Sequence, residues 1–160
     1  ILDGGSCKNG IESTIIGFEN DEPIIYRLGA LAIEDIEAVI GAIKIKNKKE
    51  ENPDAPGMLD KHYSPLTTTI LTTDITSEIK KHPNQKIGLL AFNTSFKSDA
   101  VSTEIILSKN SDLQEAGAKL YDALHELDHL NLDLIITEKL PETGLGKSIN
   151  DRLQRAAFAS

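Results

Sequence analysis

Two short motifs in the second half of the chain carry residue types that could do chemistry. Residues 125–129, His-Glu-Leu-Asp-His, match H-E-x-x-H, in which His125 and His129 would hold zinc while the glutamate acts as a base. A zinc peptidase also needs a third ligand, and Glu138 and Glu142 lie in or after a predicted strand rather than on a following helix. The competing interpretation, which we favour, places both histidines on the wet face of an amphipathic helix.

The second motif resembles the end of a phosphate-binding loop. Residues 144–148 read Gly-Leu-Gly-Lys-Ser, but in G-x-x-x-x-G-K-[ST] the first glycine would fall where Pro141 stands. Its loss removes the tight turn that directs backbone N–H groups at the phosphates. We therefore interpret Gly144 and Gly146 as residues that let a strand-to-helix turn pack closely. Anion binding at the helix N-terminus is the alternative.

The first part of the chain offers two hydroxyls and an arginine. Ser13 and Thr14 open a predicted strand, where side chains and backbone N–H groups together could hold a carboxylate or a phosphate. Arg27 ends the apolar run 24–26. An arginine in that place either pairs with a structural carboxylate or binds an anionic ligand through two hydrogen bonds. Spacing alone leaves both open.

A proline-rich stretch at residues 53–65 joins the two halves. Its three prolines favour extended backbone, Gly57 permits a freer turn, and the stretch also carries His62 and Tyr63. One interpretation is a semi-rigid spacer. The other is a strap that lies across a binding site and contributes His62 or Tyr63 to it.

The elements that must position these residues fall into two groups. Residues 1–42 give two or three short extended segments, then an amphipathic helix that begins at Ile33 and stops at Gly41. These few elements bury too little surface to fold alone. We therefore expect residues 1–42 to be the final part of a larger sheet domain. Residues 43–66 read as a linker that opens with a solvated, charged stretch.

Strands and helices alternate beyond Pro65. Strands are predicted at 67–71, 86–92, 103–107 and 134–137, and helices at 77–81, 113–130 and 149–157. Parallel neighbours need such crossovers. The sequence therefore predicts an α/β fold over residues 67–160, with a Rossmann-like, mostly parallel sheet of about four strands and flanking helices.

Composition excludes several classes of protein. The 160 residues include 25 acidic and 17 basic side chains, a formal charge of −8, so broad attraction to nucleic acid or anionic membranes is not expected. The single cysteine, Cys7, allows no internal disulfide framework and agrees with a reducing compartment. No apolar run approaches the roughly 20 residues that span a bilayer. We expect a soluble, cytoplasmic protein.

Five blocks occur together in one order. They are Leu-Asp-Gly-Gly at 2–5 with Cys7, Gly-Ile-Glu-Ser-Thr-Ile at 10–15, Tyr-Arg-Leu-Gly at 26–29, Ala-Pro-Gly-Met at 55–58 with His-Tyr-Ser-Pro at 62–65, and Gly-Leu-Gly at 144–146 with Asn-Asp-Arg-Leu at 150–153 and Arg-Ala-Ala at 155–157. This order closely resembles the two-domain form of L-threonylcarbamoyladenylate synthase, the YrdC-like family. The chain departs from the family at Leu28, where proline is common, and at Ser64, where alanine is common.

The resemblance implies a division of the chain. Residues 1–42 would be the end of the catalytic domain, 43–66 the linker with its strap, and 67–160 the complete smaller C-terminal domain. The family carries further lysine, arginine, serine and asparagine ligands upstream of Ile1, so the resemblance implies that this chain alone is inactive.

The resemblance also implies a nucleotidyltransferase reaction. L-threonine, bicarbonate and ATP, with Mg²⁺, give threonylcarbamoyl-AMP and pyrophosphate, and the product passes to the transferase complex that modifies tRNA adenosine. By similarity Ser13 would contact threonine, Arg27 the nucleotide phosphates, and Tyr63 the nucleotide from the linker side. Neither membrane association nor stable DNA binding is implied. A non-catalytic accessory domain that binds a partner remains the alternative.

Overall fold

The computed structural model describes residues 9–46 and 64–158. The predicted strand at the start of the chain and the strap residues His62 and Tyr63 lie outside the described residues. The described part has two sheets, one of three strands and one of four.

The first sheet is built on a hairpin. Strands β1 (Ile15–Glu19) and β2 (Glu22–Arg27) pair antiparallel, and β3 (Lys44–Ile45) pairs parallel to β2. Asn20 and Asp21 take φ values of 51° and 64° in the connection, as a two-residue type I′ turn requires. The strand expected to start at Ser13 starts at Ile15, because Thr14 is hydrogen-bonded to Leu31 instead.

Helix α1 (Ile33–Ile40) has the bounds that its spacing predicted. It buries Ile33 and Ile36 against Ile25 of β2. It ends at Gly41, whose N–H donates to the carbonyl of Glu37 and whose φ of 81° favours glycine, so the predicted stop is confirmed. The stretch from residue 43 onward, expected to be a solvated linker, begins with a short strand, because Lys44 and Ile45 form β3, although both side chains are exposed.

The second sheet confirms the predicted fold class. Strands β4 (Thr69–Thr72), β5 (Ile87–Ala91), β6 (Val101–Ile106) and β7 (Leu134–Glu138) are all parallel, in the order β4-β7-β5-β6. Helices α2 (Ile75–Lys81), α3 (Leu113–Asp128) and α4 (Leu145–Phe158) flank it. Strand β5 is buried along its whole length, as its continuous apolar run predicted.

Two apolar cores lie on opposite faces of this sheet. Helix α2 covers one face with Ile75 and Ile79. Helices α3 and α4 cover the other, with Leu120, Leu127 and Leu153 among the buried residues. Ile11 packs into this second core, so the segment before β1 is joined to the four-stranded sheet by apolar contact.

Helix α4 begins earlier than predicted. It starts at Leu145, four positions before the expected start at residue 149, so Gly146 lies in its first turn. Gly144, with φ of 51°, makes the turn that precedes it. Across residues 9–46 and 64–158, the helices are too short or too polar to cross a bilayer.

Candidate functional site

The structure brings together Ser13 and Arg27, both predicted as site residues. The Arg27 Nε donates to the Ser13 carbonyl at 3.0 Å, and its Nη2 donates to the Ser13 Oγ at 3.0 Å. Ser13 is exposed and Arg27 half-buried. A hydroxyl and a guanidinium therefore share one accessible point at the end of the hairpin.

The backbone on either side of this point is held at very short range. Gly29 lies so close to the segment opposite that a Cβ built on it would stand 2.2 Å from the Thr14 nitrogen and 2.3 Å from the Ser13 carbonyl carbon. The Ala30 N–H donates to the Glu12 carbonyl at 2.9 Å, and the Thr14 hydroxyl exchanges hydrogen bonds with the backbone of Leu31. We call residues 12–14 and 28–31 the Ser13 corner.

A buried arginine of α4 links the Ser13 corner to the four-stranded sheet. Arg152 is 5% exposed. Its Nε donates to Glu12 Oε2 at 3.0 Å, its Nη2 to the Leu28 carbonyl at 2.7 Å, and its Nη1 to Asp151. The Tyr121 hydroxyl of α3 donates to the second Glu12 oxygen at 3.1 Å. Both oxygens of Glu12 are thus held by α3 and α4, the helices that cover one face of the four-stranded sheet.

The protonation states of this cluster follow from its charges. Burial alone would raise the pKa of Glu12, but a backbone hydrogen bond and the Arg152 charge outweigh it and lower that pKa. Burial, opposed by Arg152 and helped by the Glu12 charge, raises the pKa of Tyr121 to about 12. At neutral pH Glu12 is a carboxylate and Tyr121 keeps its proton to donate.

The Gly-Leu-Gly-Lys-Ser residues serve the same junction. The buried Ser148 Oγ donates to the Gly29 carbonyl at 2.8 Å, and the Lys147 Nζ pairs with Glu34 at 2.7 Å. A Cβ on Gly146 would lie 1.9 Å from the Pro141 carbonyl oxygen, so close packing is confirmed for Gly146. A Cβ on Gly144 would meet nothing nearer than Leu113 Cδ1 at 4.0 Å, so Gly144 serves the turn through its positive φ instead.

The H-E-x-x-H histidines lie on the wet face of α3. His125 and His129 are exposed, and their rings meet edge-to-face at 4.2 Å. Asp128 between them accepts hydrogen bonds from the N–H groups of Leu66 and Thr67 at 3.1 and 2.8 Å. Within the part of the chain that the structure describes, no three His, Cys, Asp or Glu side chains converge to hold a metal ion.

Sequence reasoning missed the residues that support the Ser13 corner. These residues lie inside or beside the family blocks at 10–15, 144–146 and 150–153, and they are Glu12, Ser148 and Arg152. No local spacing relates them, since Glu12 and Arg152 are 140 positions apart. Tyr121 had no signal beyond its place on a predicted helix. Tyr63, the third predicted site residue, lies outside the described residues.

Comparison with known proteins decides the family. Residues 31–158 match the family described as threonylcarbamoyl-AMP synthase, C-terminal domain. The chain belongs to this family. It is 33% identical over 168 residues to the threonylcarbamoyl-AMP synthase of Bacillus subtilis and 29% identical over 171 residues to that of Pyrococcus abyssi, in each case covering 98% of this chain and 48% of the relative. The chain thus spans about half the length of the curated relatives that it matches.

Two solved structures share the fold of this family member. The crystal structure of P. abyssi Sua5 complexed with L-threonine superposes with a TM-score of 0.83 at 29% identity, over 98% of this chain and 48% of that one. A P. abyssi Sua5 variant, with a histidine and the tyrosine next to it both replaced by alanine, gives a TM-score of 0.82 at 28% identity, over 98% and 47%.

Proposed function

We propose that the protein containing this chain is a threonylcarbamoyl-AMP synthase. It converts L-threonine, bicarbonate and ATP into threonylcarbamoyl-AMP and pyrophosphate, for transfer of the threonylcarbamoyl group to tRNA adenosine in the cytoplasm. The observation that carries the proposal is the meeting of Ser13 with Arg27 at 3.0 Å in a member of this family. The names of the relatives support it.

The proposed division of the chain follows the family resemblance. Residues 1–42 belong to the catalytic domain, 43–66 to the linker and 67–160 to the smaller domain. The remaining ligands of the catalytic domain come from the half of the relatives' length that this chain does not cover. Activity is therefore proposed for the whole protein.

Ser13 is the proposed contact of L-threonine, and Arg27 that of the nucleotide phosphates. In the reaction the threonine amine and bicarbonate form a carbamate with loss of water. The carbamate oxygen then attacks the α-phosphorus of ATP, and the bond to pyrophosphate breaks. Two anions must approach each other, so positioning and fixed positive charge contribute most of the catalysis, without a protein nucleophile. The guanidinium of Arg27, held beside the Ser13 hydroxyl, supplies such a charge. Mg²⁺ enters with ATP as part of the substrate.

Tyr63 is the proposed nucleotide contact from the linker. Support comes from the resemblance and from the P. abyssi variant, whose two replaced residues are an adjacent histidine and tyrosine, as His62 and Tyr63 are in this chain. A strap that closes over the adenylate would exclude the water that hydrolyses it.

The proposal is tested by pyrophosphate release from the full-length protein. Release should require L-threonine and bicarbonate together, and a wild-type protein without such release would refute the function. Arg27→Ala and Tyr63→Phe should each lower kcat/KM for ATP by at least about tenfold, or about 1.4 kcal/mol. Lys44→Ala and Tyr26→Phe are the matched controls, because they remove a cation that pairs with Glu22 and a phenol hydroxyl that donates to Glu19. Unchanged kinetics in Arg27→Ala or Tyr63→Phe would reject that residue's assignment.

A further inference from the structure

We infer that Arg152 is a positioning residue, through which the smaller domain sets the geometry of the threonine site. The inference rests on the proposed function, because it concerns the Ser13 site of the same reaction. It assigns a task to the smaller domain: α4 forms the rigid support behind the Ser13 corner.

Three consecutive residues of the corner are each fixed by a different partner. Glu12 is held by Arg152 and Tyr121, Ser13 by Arg27, and Thr14 by the backbone of Leu31. Because adjacent peptide planes share their Cα atoms, a shift of Glu12 turns the peptide that carries the Ser13 side chain. The direction of the Ser13 hydroxyl therefore depends on α4.

The opposite wall of the corner is held by the same helix. Arg152 donates to the Leu28 carbonyl, and Ser148, one turn earlier on α4, donates to the Gly29 carbonyl at 2.8 Å. Arg152 thus touches both walls, through Glu12 on one side and Leu28 on the other. Gly29 packs directly against the backbone of residues 12–14. Neither segment of the corner can therefore move toward the other without a clash.

A lysine could not reproduce this arrangement. The planar guanidinium directs separate N–H groups at Glu12, Leu28 and Asp151 at once, whereas an ammonium on a flexible stem is a point charge. Arg152→Lys keeps the charge beside Glu12 and loses the fixed geometry. It separates the effect of position from the effect of charge.

The test measures L-threonine affinity by calorimetry and kcat/KM for threonine in the full-length protein. Arg152→Ala should raise the Kd for L-threonine and lower kcat/KM for threonine by at least about tenfold, since a misplacement near 1 Å costs up to about a hundredfold in rate. Arg152→Lys should fall between Arg152→Ala and wild type. The matched control is Ile79→Ala, which opens a cavity in the core on the other face of the sheet. It should lower Tm and leave the threonine Kd within about twofold of wild type.

Each outcome has one meaning. A folded Arg152→Ala protein with wild-type threonine affinity overturns the inference, and so does an equal loss of affinity in Ile79→Ala, which would reduce the effect to stability. If Arg152→Ala fails to fold, Tyr121→Phe takes its place, because it keeps the ring and removes the hydroxyl that donates to Glu12, and it should raise the threonine KM more than kcat changes. An unchanged KM there overturns the inference. Wild-type protein without threonine-dependent pyrophosphate release refutes the proposed function instead.

Discussion

Gly29→Ala is the sharpest single change that the structure offers. The added methyl carbon would stand 2.2 Å from the Thr14 nitrogen, 2.3 Å from the Ser13 carbonyl carbon and 2.4 Å from the Glu12 carbonyl oxygen. All three neighbours are backbone atoms, so no side-chain rotation can relieve the contact. The two walls of the Ser13 corner must separate.

The size of that separation follows from the distances. Real Cβ atoms essentially never approach a heavy atom closer than 3.0 Å, so the contact at 2.2 Å must open by about 0.8 Å or more. Overpacking of this kind costs about 1–3 kcal/mol in free energy of unfolding. A displacement near 1 Å at Ser13 should weaken threonine binding and lower kcat/KM for threonine by up to about a hundredfold.

The assay pairs urea unfolding with calorimetric threonine binding in the full-length protein. Gly88→Ala is the control, because its added methyl, on β5 of the four-stranded sheet, would meet chiefly the end of the Leu132 side chain, and that side chain can move. It should cost some stability and leave threonine affinity unchanged. Gly29→Ala protein that folds and binds threonine as wild type does would refute the close approach on which the corner depends.

Two further predictions concern the same junction. Ser148→Ala should lower the free energy of unfolding by about 1–3 kcal/mol, because it removes the hydroxyl that donates to the buried Gly29 carbonyl. Lys147→Ala breaks the partly exposed ion pair with Glu34 and should lower the free energy of unfolding by less than about 1 kcal/mol in the same denaturation experiment. The pKa of Glu12 lies below its ordinary value of 4.5 in the folded protein, so its stabilising effect is full above that pH and is lost as the pH falls through the folded-state pKa. The stability difference between wild type and Glu12→Gln should therefore be large at pH 7 and shrink below pH 4.5, and a difference that is constant with pH would contradict the ion pair with Arg152.

The main elements of the fold could be predicted because their signals are local. A continuous apolar run predicts strand β5, and the spacing of apolar residues with a glycine at the end predicts helix α1. Strand β3 gave no such signal, since Lys44 and Ile45 are both exposed and the strand exists through backbone pairing with β2. The start of α4 was misplaced because Gly146 reads as a turn residue, while the close approach to Pro141 is a tertiary contact.

The site could be predicted only in part, for a related reason. Ser13 and Arg27 were candidates from their residue types and their places in the chain, and the family resemblance supplied their roles. The hairpin that joins them is a local structure. The partners of Glu12 could not be found in the same way, because Arg152 lies in a family block but is 140 positions from Glu12, and no local spacing relates the two. The low exposure of Arg152 is a property of the assembled fold.

The separation between Glu12 and Arg152 has a consequence for the order of folding. Their hydrogen bond joins positions 140 apart, and contacts that close such long loops tend to form late, after nearby elements have gained their own structure. The hairpin can form early, within its own few residues. Docking of α4 is then the step that completes the Ser13 corner, so a chain stalled before it would keep the hairpin and lack the fixed geometry of that corner.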